Sequence, residues 1–158
     1  MSRRRSAQPV PYESASSGGK ARDEITKLLR NFGCESIGFM DDFEKHELCL
    51  VFQHRGRRVQ LVATAKGWAS LWMKQNPYNP ARNHRTRIDY EQSALKQGDI
   101  AINSILRDWV KGQVTAVECG MLSFDAVFMP YMLTNDGRTL VQRLTETGLL
   151  KQLEEKVE

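Results

Sequence analysis

Paired cysteines, long apolar runs and, across a middle stretch, acidic residues are what this 158-residue chain lacks. No stretch approaches the roughly 20 uninterrupted apolar residues that a bilayer-crossing helix needs, and the N-terminus has no apolar segment of the secretory kind. The expected location is the cytoplasm. Cys34, Cys49 and Cys119 stand too far apart for a disulfide framework or a zinc ribbon, so free, mostly buried thiols are expected. There is no glycine-rich phosphate loop, no HExxH run and no spacing suggestive of a Ser-His-Asp triad. Neither enzymatic activity nor a metal or other cofactor is expected.

What is present suits a folded protein, with 41% apolar and 27% charged residues. At this length one domain with a sizeable core is expected over residues 21–158, behind a disordered basic tail over residues 1–20. The net charge of +4 conceals an uneven distribution. Residues 1–12 carry +3 and residues 13–47 carry −3. Residues 48–88 carry eight basic residues and no Asp or Glu, and residues 89–158 carry −4. A run of 41 residues with only positive charge departs from the mixed signs of ordinary surfaces. It predicts a positive field on part of the fold.

Local patterns predict an α+β fold: an N-terminal helix, a small antiparallel three-stranded sheet, and a long helix in the C-terminal half with short helices around it. Ile25, Leu28, Leu29 and Phe32 repeat at helical spacing, and Gly33 stops the helix that starts near Ala21. Strands are expected over residues 36–39, 47–53 and 58–63, with His54 to Arg57 as the turn between the last two and Gly56 at positive φ. Trp68, Leu71 and Trp72 share a face of a short helix ending near Asn76. Residues 75–86 read as a long exposed loop, of the kind that is uncommon unless functional or flexible.

From Ile88 to Cys119 the pattern is firmly helical. Tyr90, Ala94, Ala101, Ile105 and Trp109 form one stripe, with Leu95, Ile102, Leu106, Val110 and Val117 beside it. Gly98 and Gly112 mark a bend or a close helix contact within it. Gly120 is a C-terminal cap, Ser123 caps a short helix that Met129-Pro130 shortens, Asn135-Asp136-Gly137 turns, and Thr139 starts a last helix whose charged end frays from Lys151.

The acid-free stretch supplies the candidate site. Arg55, Arg57 and Arg58 stand at the hairpin, Lys66 and Lys74 on the helix after it, and Arg82, His84, Arg85 and Arg87 in the loop. Repeated cations are what a nucleic-acid backbone demands, since each neutralised phosphate releases counterions, and arginine grips phosphate oxygens in pairs. The competing expectation is a solvated hairpin and loop neutralised by the acidic C-terminal half. Trp68 and Trp72 are expected in the core, whereas Tyr78, in the loop, is the candidate for stacking on a base. Asp41, Asp42, Glu44, His46 and Glu47 invite a metal-dependent nuclease reading. That chemistry needs carboxylates on adjacent strands and a lysine two residues beyond one of them. Val59, Gln60, Leu61 and Val62 of the third strand supply neither, so a solvated turn is expected. The order helix, three strands, helix is also that of double-stranded RNA-binding domains, whose basic signature at the last helix is missing here.

One ordered set of motifs carries a resemblance: Tyr90-Glu91-Gln92, Ala116-Val117-Glu118 with Gly120, Phe124 and Phe128, and Asp136-Gly137-Arg138-Thr139. Over Tyr90 to Thr139 the chain resembles a family of uncharacterised proteins encoded by bacteriophages and prophages, whose members tend to have a β-rich half upstream. The resemblance implies a phage or prophage origin, hence a bacterial host cytoplasm, and no established activity. Together these readings lead to an expected function: a phage-encoded, non-enzymatic accessory protein that contacts the phosphate backbone of DNA or RNA. The alternative is a protein-interaction module, an inhibitor or adaptor, that meets an acidic surface of a host protein. The broad apolar face of the long helix also allows a homo-oligomer.

Overall fold

A computed structural model describes residues 9–153. Helix α1 (Gly18–Phe32) leads into strands β1 (Ser36–Asp42), β2 (Glu47–His54) and β3 (Arg57–Thr64), which form one antiparallel sheet in the order β1-β2-β3. Helices α2 (Lys66–Gln75), α3 (Pro80–Asn83), α4 (Arg87–Glu118), α5 (Phe124–Phe128) and α6 (Leu140–Glu146) follow, with 3-10 turns at Met129–Tyr131 and Leu149–Leu153. The fold is α+β, as its residue patterns predict, with the long helix α4 in the C-terminal half.

The periodicities explain these elements. On α1, Ala21, Ile25 and Leu29 recur every four residues and are fully buried. On β2, Leu48, Leu50, Phe52 and His54 alternate inward, and on β3 so do Val59 and Leu61. On α4, Tyr90, Ala94, Ala101, Ile102, Leu106, Val110, Val114 and Ala116 are buried, while Ile105, assigned to the stripe by spacing, is exposed. The chain stops α4 where Gly120 takes a φ of 71°. The N–H of Met121 then bonds the carbonyl of Ala116 at 3.0 Å, and that of Gly120 bonds Val117 at 3.0 Å, closing the helix end. Ser123 Oγ caps α5 by accepting from Ala126 N–H at 3.1 Å. Thr139 and Gln142 form a reciprocal capping box on α6. As the Met129-Pro130 pair predicts, α5 ends at Phe128 and a 3-10 turn follows. The fraying expected from Lys151 concerns mainly residues 154–158, outside the described residues.

The chain is organised as two compact units, each drawn from three stretches. The first takes the described part of Met1–Ile25 with Asp41–Leu48 and Ala63–Trp109. Its core includes Val10, Trp68 and Ala101, with Tyr12 and Trp72 against them. Gly98 in α4 meets α2 here: a Cβ on it would stand 3.0 Å from the Ala65 carbonyl oxygen, so this glycine marks a close contact, whereas Gly112 faces open space. The second unit takes Thr26–Met40, Cys49–Val62 and the described part of Val110–Glu158. Phe52 and Phe128, both fully buried, meet edge to face at 5.5 Å in its core. On the free side of β3, Met132 bridges to Val59 and the N–H of Leu133 donates to the Arg58 carbonyl at 2.8 Å.

Three expectations are corrected. The tail expected over residues 1–20 is ordered from Pro9 onward, where Val10 is only 2% exposed and α1 begins at Gly18 rather than near Ala21. Its partners lie far away in sequence, as the Trp68 Nε1 bond to the Pro11 carbonyl at 2.9 Å shows. Residues 1–8, with Arg3, Arg4 and Arg5, lie outside the described residues. The long loop over residues 75–86 contains α3, because Asn79 Oδ1 accepts from Ala81 N–H and Pro80 starts the turn. The cysteines are free, but Cys34 and Cys49 are half-buried and Cys119 is exposed.

Candidate nucleic-acid interface

Two clusters of cations come from the acid-free stretch, one in each unit. In the second unit β2 and β3 are joined by two residues only, Arg55 and Gly56, with φ of 47° and 76°. This left-handed pair is the turn that matches the twist of a hairpin, and glycine takes it freely, but arginine does so at a cost of about 1 kcal/mol. Arg55, Arg57 and Arg58 are all exposed. Arg57 reaches Asp125 only at 4.0 Å with both side chains more than half exposed, a contact of little strength. Arg55 and Arg58 form no ion pair with a described residue.

Directly behind the turn His54 is buried. Its ring stacks on Phe32 at 4.4 Å and approaches Phe124 at 5.0 Å. Burial, and then the charge of Arg55, lower its pKa from the ordinary histidine value, which keeps the ring neutral. Its Nδ1 has no hydrogen-bond partner among the described residues. The arginines therefore stand beside a buried, stacked aromatic base.

In the first unit, Lys66 and Lys74 are exposed near the two ends of α2, and Arg82 on α3; none forms an ion pair with a described residue. His84 is exposed with a φ of 49°, at the end of α3. Arg85 and Arg87 are exposed but engaged. Arg85 Nη1 donates to Ser93 Oγ at 2.7 Å, and Arg87 Nε lies 3.2 Å from Glu91 one helical turn on.

Tyr78 departs from the expected free stacking platform. Its ring is half-buried, 5.5 Å from Tyr90, which in turn lies 5.4 Å from Trp72. The Tyr78 hydroxyl donates to the Arg85 carbonyl and the Tyr90 hydroxyl to the Asn76 carbonyl. This ladder of rings holds the segment onto α2 and α4 and positions its arginines; it is internal packing. Trp68 is buried and Trp72 half-buried, as their spacing predicts.

The acidic turn between β1 and β2 belongs to the first unit from Asp41 onward. Arg22 binds Asp41 through two nitrogens, at 2.9 and 2.5 Å, and holds its carboxyl below the usual aspartate range. Asp42 accepts from the N–H groups of Glu44 and Lys45, and His46 Nδ1 pairs with Asp99 at 3.0 Å. Arg22, Asp41, Asp42, His46 and Asp99 border a cavity of about 220 Å³. No group of three or more possible metal ligands occurs among the described residues. Asp41, Asp42 and Asp99 are engaged in turn and salt-bridge geometry.

Sequence reasoning missed His54 as the buried base of the hairpin, because its seat depends on Phe32 and Phe124 from distant segments. It also missed the ordered serine-rich segment ahead of α1. The local signal for that segment was Ser17, whose Oγ accepts from Lys20 N–H at 3.2 Å as a helix cap does. Comparison with protein-family models, with curated proteins and with solved structures found no match for this chain. No described helix is long and apolar enough to cross a membrane.

Proposed function

We propose that this chain is a phage-encoded, non-enzymatic accessory protein of the bacterial cytoplasm that holds the phosphate backbone of DNA or RNA through its hairpin arginines, with the cations of α2 and the following segment in support. The observation that carries this reading is the state of the cations in the acid-free stretch. Arg55, Arg58, Lys66, Lys74 and Arg82 are exposed without an ion pair to any described residue, and Arg57 is held only weakly. Cations left unneutralised keep their full attraction for phosphate. The phage origin rests on the resemblance over Tyr90 to Thr139.

The test is a salt titration of binding to short labelled DNA and RNA, single and double stranded. Binding is expected to fall steeply with salt, with a slope of about 0.9 per phosphate contacted on duplex DNA. The Arg55→Ala, Arg57→Ala, Arg58→Ala triple variant is expected to lose up to about three of those contacts. Equal binding by the triple variant at low salt sinks this reading. A stoichiometric protein recovered from nuclease-treated host extract would instead turn the same cations toward an acidic protein surface.

A further inference from the structure

The segment ahead of α1 is strapped down by long side chains from α2 and α4. Trp68 Nε1 donates to the Pro11 carbonyl at 2.9 Å, and Trp72 Nε1 to Glu13 Oε1 at 3.0 Å. Gln97 Nε2 donates to the carbonyls of Glu13 and Ala15 at 3.1 and 2.8 Å. The Tyr12 hydroxyl donates to Asp108 Oδ2 at 2.7 Å. Held in this way, residues 14–17 form one wall of a cavity of about 290 Å³ in the first unit. Its lining includes the hydroxyls of Ser14, Ser16, Ser17 and Ser104 and the cations of Lys20 and Arg107.

Two features distinguish this cavity from a solvated surface dent. Ser104 is only 6% exposed and lines the cavity, yet its hydroxyl bonds to no described residue. Most helical serines so deeply placed satisfy themselves on the preceding turn; this one leaves its donor for whatever enters. Lys20 is exposed and forms no ion pair with a described residue. Arg107 is shared between Asp108 at 2.9 Å and Glu24 at 3.4 Å, so Lys20 is the cation of the lining left without an ion pair to a described residue. The 15-residue helix α1, which starts beside this wall, has no acid in its first turn to offset its dipole.

We propose that this cavity binds a phosphate group, as inorganic phosphate, a phosphomonoester or a phosphorylated strand end. Several hydroxyl donors with an unpaired lysine match an anion with three or four acceptor oxygens better than a two-oxygen carboxylate. The volume lies at the small end of ligand sites, which fits a single phosphoryl group with little attached. None of the lining residues comes from the acid-free stretch, so the site stands independently of the nucleic-acid reading.

The full chain is titrated with inorganic phosphate at constant ionic strength, followed by phosphorus NMR and calorimetry, with sodium chloride as the control. Saturable binding is expected in the parent protein and in the Arg55→Ala, Arg57→Ala, Arg58→Ala variant alike. It is expected to weaken by about tenfold or more in Lys20→Gln, an exposed change that leaves the fold intact by circular dichroism, and again in Ser104→Ala. No saturable phosphate binding by the parent, or unchanged binding by Lys20→Gln, overturns the proposal. A 5′-phosphorylated oligonucleotide that outcompetes its 5′-hydroxyl counterpart, with the advantage lost in Lys20→Gln, assigns the site to strand ends. Tighter binding of a nucleoside monophosphate without that advantage assigns it to free phosphomonoesters.

Discussion

The hairpin of the second unit and the segment after α2 in the first unit draw on the same acid-free stretch, yet they use their cations differently. At the hairpin, Arg55, Arg57 and Arg58 stand exposed on a turn that one of them strains, with a buried neutral His54 behind. After α2, the ladder Trp72, Tyr90, Tyr78 takes the aromatic that was free to stack, while Ser93 and Glu91 engage two of the arginines. The lesson is that a count of positive charges measures potential partners, whereas exposure and internal pairing decide how much of that charge is available. On that ground the hairpin should contribute more to binding than the segment after α2.

The comparison breaks most readily through the ladder. Tyr90→Ala removes a buried ring and is expected to cost about 3–5 kcal/mol by chemical denaturation, with the hairpin untouched only if the units unfold separately. Two transitions in that experiment, rather than one, would show that the regions are energetically independent. The next largest effect separates the cation sets directly. The hairpin triple variant is expected to weaken nucleic-acid binding by about a hundredfold at low salt, whereas Arg85→Ala with Arg87→Ala costs about tenfold or less, measured by fluorescence anisotropy. The reverse ranking would make exposure and pairing poor guides here.

Smaller effects sharpen the same contrast. In α4, Gly98→Ala pushes a methyl group against the Ala65 backbone in the first unit and should destabilise by about 1–3 kcal/mol. Gly112→Ala meets open space and should stabilise by up to about 1 kcal/mol, so thermal melts of the pair should move in opposite directions. At the turn, Arg55→Asn suits positive φ better and should raise stability by about 0.5–1 kcal/mol while it lowers nucleic-acid affinity, an opposition that marks a residue kept at the expense of strain. Finally, His54 refuses a proton in the fold that the unfolded chain accepts. Stability should therefore be intact above the ordinary histidine value of about 6.5 and fall as the pH drops from there through the lowered folded value. His54→Phe keeps the ring stack and should flatten that pH dependence in urea titrations followed by fluorescence.

Elements whose instructions lie within a few residues were legible in advance. The ends of α4, the caps at Ser123 and Thr139, the turn at Gly137 and the hairpin around Gly56 all depend on near neighbours, and the described structure has them within a few residues of the expected positions. The cations of the candidate site were legible as a bare charge pattern. Segment 9–17 and the place of Tyr78 were not, because Trp68, Trp72, Gln97 and Asp108 hold the former and Tyr90 the latter, up to 96 residues away. A proline- and serine-rich segment offers no apolar period of its own, so it looks loose until its distant partners are in place.

By itself the amino-acid order determined the helical and extended periods, their caps and turns, and the long interval without a carboxylate, since each depends on backbone sterics or on side chains adjacent along the chain. Tertiary structure alone decided which arginines stay unpaired, that His54 sits neutral behind the hairpin, and that four serines and two cations border one cavity. Those outcomes depend on contacts between groups remote in sequence, and burial and pairing exist only once such contacts have formed.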